Sequence, residues 1–336
     1  MGIVQVLTNL YVADTGNSRI HRFDLTGVSN HAPWGTLGTG SGQYNEPQGV
    51  AVDILENFLF VADTKNNRIQ AITISDDSVA SVAGTLGTGI NQFSSHKGIA
   101  VTGTAPNLNV YVADTGNNRI VPYTFNTVSK VFNYVTGGAF GTYGTGSVQF
   151  NQPNKITIDG SGNFYITDTT NRIQKFDNGR NFLTSWNVRD SRGTSGLTTN
   201  GTTLYAIEGN NQMDTYSAQT GIFSTSFIHE SNQPVDVGID LSGNIYLDNN
   251  TTNTIQKFTS TFVPLAEWGG NGSPFSGALG IGVNTGGEVV VADTNNNRVQ
   301  RFDTYGTFLS TLPTPLVTPA GFSSPKDVAN EAKGKM

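Results

Sequence analysis

Short apolar runs alternate with polar, Gly- and Asn-rich turns along almost the whole chain. Leu59 to Ala62 and Val289 to Ala292 are each four residues long, which suits strands and is too short for a helix. The apolar residues fall on both parities of these runs. A sheet solvated on one face should alternate, whereas one covered on both faces need not. A run, an Asp-Thr-Gly-Asn-Asn type of turn and a second run such as Arg298 to Phe302 predict a hairpin.

The hairpin repeats. Tyr11 to Ile20 recurs at Phe60 to Ile69, at Tyr111 to Ile120, one residue shorter at Tyr165 to Ile173, and at Val290 to Val299. Weaker copies lie at Leu204 to Glu208 and Ile245 to Asp248. Seven units result, marked by Asp14, Asp63, Asp114, Asp168, Glu208, Asp248 and Asp293, and successive markers are 40 to 54 residues apart. That period is in the range of propeller blades. Upstream of the hairpins stands a further strand pattern, at Pro47 to Asp53, Pro153 to Asp159 and Pro234 to Asp240, with variants at Lys97 to Thr102 and Leu279 to Asn284.

A pattern of Pro-x-Gly-Val-Ala-Val-Asp, then Tyr-Val-Ala-Asp-x-x-Asn-x-Arg-Ile, then Phe resembles the NHL repeat, and the resemblance covers nearly the whole chain. It implies an all-β propeller over residues 1–336 as a single domain. Seven hairpins predict seven blades, although NHL-type propellers usually have six. Ser324 to Asn330 looks like the first strand of a unit that no hairpin follows, and the first hairpin is preceded only by Gly2 to Val6. Residues 323–330 are therefore expected to complete the first blade and close the ring. The same strand inserted into a second molecule would give head-to-tail assembly instead.

Composition narrows the function classes. The net charge of −6 and pI of about 5.1 give no basic footprint for nucleic acid. No apolar run approaches a membrane span. The absence of cysteine removes disulfides, thiolate metal sites and a Cys nucleophile. Met1 to Leu10 has no signal-peptide pattern, while few Lys beside abundant Thr, Asn and Gly lean towards an extracellular or cell-surface protein. Sequons stand at Asn200, Asn249, Asn250 and Asn271.

Five Asp–Arg pairs recur with the repeat: Asp14 and Arg19, Asp63 and Arg68, Asp114 and Arg119, Asp168 and Arg172, Asp293 and Arg298. An active site occurs once per ring, so these read as structural: each Asp accepting turn amides, each Arg pairing with a carboxylate of its own or a neighbouring blade. Asp-Thr-Gly-Asn-Asn-Arg lacks the ligands of a calcium loop. The Gly-rich runs at Gly35 to Gly42, Gly84 to Gly89 and Gly141 to Gly146 lack the context of a phosphate loop and read as connections between blades. NHL-like propellers include a peptide-amidating lyase with a His-ligated zinc, but His21, His31, His96 and His229 occupy unlike places in their repeats. No Gly-x-Ser-x-Gly elbow supports a hydrolase.

Departures from the repeat are the better guide. Residues 187–275 hold the two weak units, with Tyr205, Tyr216, Phe223 and Trp268 as aromatics for a partner surface. All three Trp (Trp34, Trp186, Trp268) are expected to pack between blades. The reading is a non-enzymatic scaffold, without catalytic residues, cofactor or metal, that binds a protein or carbohydrate. A self-assembling structural subunit is the alternative, and a zinc-dependent lyase or hydrolase the third.

Overall fold

The computed structural model describes residues 9–24, 33–53, 55, 57–188, 194–208, 212–228, 234–240, 242–249, 252–269, 274–283, 287–312, 322, 323 and 325–329. Six four-stranded antiparallel sheets and one three-stranded sheet follow one another as blades. Blade 2 runs Val50–Val52, Phe58–Asp63, Arg68–Thr73 and Ser78–Ala83, from the inner strand outwards. Blades 3 to 7 repeat this order, with inner strands at Ile99–Thr104, Ile156–Ile158, Thr194–Thr199, Val237–Ile239 and Ala278–Val283. Blade 1 is made from both ends of the described chain. Asn9–Asp14 pairs with Arg19–Asp24 on one side and with Pro325–Ala329 on the other. The outer place beside Arg19–Asp24 is marked by Trp34, which bridges to Ile20.

The ring closes because the terminal strand lies against the inner strands of both blade 7 and blade 2. Seven apolar clusters fill the gaps between consecutive blades. Between blades 2 and 3, for example, Phe60 of one meets Phe125 and Phe132 of the other at 5.2 and 5.9 Å. This explains why every residue of Phe58–Asp63 is buried: each strand faces a neighbouring blade on both sides, so both parities must be apolar.

The turn between the second and third strands follows from its sequence. Thr15–Asn17, Thr64–Asn66, Thr115–Asn117 and Thr294–Asn296 each form one 3₁₀ turn. The next residue, at Ser18, Asn67, Asn118 and Asn297, is left-handed with φ between 51° and 56°. Asn tolerates that conformation better than most side chains, so the Asn before Arg68, Arg119 and Arg298 answers a backbone requirement that Ser18 meets before Arg19.

The three Trp occupy one repeat position, opposite Ile20, Ile173 and Ile255. Trp186 reaches Tyr216 of blade 5, and Trp268 reaches Phe302 of blade 7. A Cβ on Gly221 would stand 2.4 Å from the Trp186 ring and one on Gly306 2.5 Å from Trp268, so these glycines let the indoles in.

Tyr44 anchors the connection into blade 2, as Phe93 and Phe150 do for blades 3 and 4, and all three rings are fully buried. The Tyr44 hydroxyl has no hydrogen-bond partner among the described residues, and burial raises its pKa. Tyr44→Phe is expected to leave stability unchanged or raise it by up to about 1 kcal/mol, since an unpaired buried hydroxyl costs that much or more. Thermal denaturation checks this, and a clear loss of stability would show that the hydroxyl has a partner.

Candidate functional site

The face of the ring that carries the 3₁₀ turns also carries the connections between blades, and the two are locked together. In blade 2 the Asp63 carboxylate accepts from Arg68 Nε at 2.7 Å, from Asn66 Nδ2 at 2.9 Å and from Gln70 Nε2 at 3.2 Å. Its other oxygen accepts the amide of Asn45, in the connection, at 2.7 Å. The Arg68 guanidinium then donates to the carbonyls of Thr39, Gly40 and Gln43. Arg119 repeats this on Thr88, Gly89 and Gln92, and Arg172 on Gly144, Thr145, Gly146 and Gln149. Pairing lies within one blade throughout: Arg19 to Asp14 at 2.7 Å, Arg119 to Asp114 at 2.8 Å, Arg172 to Asp168 at 3.0 Å and Arg298 to Asp293 at 2.5 Å.

One detail differs from the sequence expectation. At Asp14, Asp63, Asp114 and Asp293 the side chain does not cap its own 3₁₀ turn. It takes the backbone amide of Ser323, Asn45, Ser94 or Ser276 in the arriving connection. The repeated Asp thus ties the incoming chain to the turn, and only Asp168 accepts from a turn amide, that of Thr170 at 2.8 Å.

Three connections, 35–43, 84–92 and 141–149, share a Gly-Thr-x-Gly-Thr-Gly-x-x-Gln pattern and contain no charged residue. Gln43, Gln92 and Gln149 each accept the amide of the Gly three residues earlier at 2.8 to 2.9 Å. The glycines are required: Gly35, Gly84 and Gly141 have φ of 96° to 106°, and a Cβ there would press on the anchoring rings of Tyr44, Phe93 and Phe150. The third position of the motif points outwards. Leu37, Leu86 and Tyr143 are 68, 69 and 71% exposed, and Ile90 in the second connection is 69% exposed. Single exposed apolar residues are ordinary, but here three recur at one repeat position on three consecutive connections, each held by its Arg.

The weak blades look different from the sequence reading. Tyr205, Tyr216 and Trp268 were expected at a partner surface, yet they are 3, 2 and 9% exposed. Blades 5 and 6 lose the consensus in the turn, not on the faces that meet their neighbours, so these aromatics remain core. Tyr216 packs under Trp186, and its hydroxyl donates to Glu208 at 2.8 Å. Of the four, only Phe223 keeps an exposed surface, at 39%.

Asp248 is also displaced. Strand register sets Asn249 opposite Thr254, as Asp63 stands opposite Arg68, so Asn249 fills the marker position. Asp248 lies one residue earlier, equivalent to the fully buried Ala62. Its Oδ1 accepts the amides of Val235 and Asp236, both at 2.8 Å, while Oδ2 is buried without a hydrogen-bond partner among the described residues. Burial and the neighbouring Asp236 charge push this carboxyl up to about 8, against the lowering effect of the two amides.

Asn249 is 2% exposed, so its sequon is closed to glycosylation in the folded chain. Asn200 is half-buried, with its amide donating to the Tyr205 hydroxyl at 3.3 Å. Asn250, Asn271, His31 and His229 lie outside the described residues. His21 sits against Asp14 and Phe322 in blade 1. His96, at the start of blade 3, accepts no metal-like company: it bonds the Arg68 carbonyl at 2.9 Å and stacks on Phe93, and burial lowers its pKa to about 4. Among the described residues no three His, Asp or Glu side chains are grouped to hold a metal ion.

The exposed Leu37, Leu86, Ile90 and Tyr143 were missed in the sequence because the Gly-rich runs were read only as connections. The usable signal was an apolar residue at the third place of an otherwise Gly- and Thr-rich motif in all three copies.

Comparison with known proteins agrees with this architecture. The NHL repeat family matches residues 44–72 and 275–302. No curated protein matches the chain by sequence. Among solved structures, the virginiamycin B lyase of Staphylococcus aureus is similar with a TM-score of 0.63 and 15% identity, over 84% of this chain and 87% of that one. A streptogramin B lyase is similar with a TM-score of 0.64 and 15% identity, over 96% of this chain and 92% of that one. Hydrazine synthase of Kuenenia stuttgartiensis gives 0.61 at 14% identity, over 80% of each chain. At such identities the likeness shows the propeller fold alone.

Proposed function

We propose that this chain is a non-enzymatic binding propeller that holds an apolar, uncharged segment of a protein partner on the face of its inter-blade connections. The observation that carries the reading is the repeated exposure of Leu37, Leu86 and Tyr143 on connections whose carbonyls are clamped by Arg68, Arg119 and Arg172. A clamped loop loses little conformational freedom on binding, so its apolar contacts are not offset by ordering costs. The absence of charge from all three connections disfavours a strongly charged partner, in a protein whose net charge is −6. Only one of the three side chains is aromatic, which suits aliphatic protein contacts better than sugar stacking.

The test is selection of peptides from a displayed library on the folded chain, followed by affinity measurement on Leu37→Ser/Leu86→Ser/Tyr143→Ser. Selected peptides are expected to be rich in apolar residues and to bind the triple variant at least about tenfold more weakly, the loss of one hot-spot contact or more. Equal binding to both proteins contradicts the reading. Turnover of a streptogramin B by the purified chain would overturn its non-enzymatic part.

A further inference from the structure

In blades 2 to 7 the inner strand is covalently followed by the second strand of the same sheet, as Val50–Val52 is by Phe58–Asp63. Blade 1 differs. Its inner strand, Pro325–Ala329, is separated from Asn9–Asp14 by almost the full length of the chain and joins its sheet through non-covalent contacts alone. We propose that the groove on blade 1 accepts this segment from a second copy of the chain, so that two molecules close each other's rings by exchanging terminal strands.

Among the described residues, the contacts that seat the latch come from Phe322, Ser323 and the backbone of Pro325–Ala329. Phe322 is 3% exposed and packs on the His21 ring at 4.6 Å, within a cluster of Val12, Val290 and Val299. Ser323 donates its amide to Asp14 Oδ1 at 2.6 Å, and its carbonyl accepts the Gly16 amide at 2.8 Å. Thr294 of blade 7 donates its hydroxyl to the Pro325 carbonyl at 2.7 Å. The strand itself pairs from Tyr11–Ala329 to Asp14–Pro325. None of these depends on which molecule supplies the segment.

The same contacts seat the internal units, where Ser94 donates to Asp114 Oδ1 and accepts the Gly116 amide, and Thr115 bonds the Pro153 carbonyl. The groove therefore selects an aromatic residue, then Ser or Asn, with Pro three places after the aromatic and an extended run beyond, as in Tyr44 to Val50 and Phe322 to Val328. An open blade 1 also presents a row of unpaired backbone groups, which pair with an added strand. Closure within one molecule has the advantage of a local concentration on the order of millimolar. Exchange is therefore expected in concentrated or transiently opened protein and is trapped on dilution.

The experiment mixes unlabelled and ¹⁵N-labelled full-length chain at about 1 mM, passes the mixture through mild urea and back, and examines diluted samples by native mass spectrometry. Dimers or larger species of mixed mass that persist for hours are expected. A large excess of a peptide of residues 320–330, present during the urea step, is expected to suppress them and to leave peptide-bound monomers. Monomers alone overturn the proposal. So do mixed species that the peptide leaves unchanged or that dissociate at once on dilution, because those would be associations between surfaces.

Discussion

Replacing Asp63 with Ala is expected to cost about 3–5 kcal/mol of stability, the usual result of removing one partner from a buried ion pair. Asp63 is fully buried and accepts from Asn45, Asn66, Arg68 and Gln70, so its loss leaves four donors to find new partners. Arg68 also holds the carbonyls of Thr39, Gly40 and Gln43. Release of the guanidinium should free residues 36–43 before the blade itself unfolds. Chemical denaturation measures the first effect, and hydrogen exchange resolved by peptide measures the second. A loss below about 1 kcal/mol, or unchanged exchange in 36–43, would show that the clamp does not hold the connection.

Asp248→Asn is expected to stabilise the protein at alkaline pH and to change it little at or below about pH 4. The native carboxyl is raised to about 8 from an ordinary 3.8, so the folded chain retains a proton that the unfolded chain has released. Stability from this group is therefore present below the unfolded pKa and is lost as pH rises towards 8. Asn copies the protonated form and escapes that loss, which a rise of this size puts on the order of 5 kcal/mol above pH 8.

His96 acts in the opposite sense. It stays neutral in the folded chain down to about pH 4, whereas an unfolded imidazole gains its proton near 6.5. Its contribution is present above 6.5 and is lost as pH falls from there towards 4. Between about pH 4 and 6.5 the two contributions offset each other, so the native chain's melting temperature should vary little there and fall from 6.5 towards 8, whereas that of Asp248→Asn should fall only on the acid side. An unchanged alkaline decline in the variant would mean that Asp248 is ionised, with a partner for Oδ2.

Most of the architecture was legible because each constraint is local and repeats. The Asn before four of the five repeated Arg answers to one left-handed turn residue, the doubly apolar strands to neighbours on both sides, and the orphan strand at 325–329 to an incomplete first blade. What the residues could not reveal was register and exposure. An acid at 248 resembles the marker of a blade, but strand pairing gives that place to Asn249. Tyr205, Tyr216 and Trp268 looked like released surface because their turns had drifted, while the positions that meet adjacent blades had not. Leu37, Leu86 and Tyr143 were hidden for the converse reason: a motif dominated by Gly and Thr draws attention to its backbone, and the outward residue is a single letter in nine.

The most direct test of the binding face is hydrogen exchange of the full-length chain with and without a ligand selected on it. New protection is expected in residues 36–43, 85–92 and 142–149, on three successive blades. Protection confined to the opposite face, to the channel-lining inner strands or to blades 5 and 6 would contradict the account.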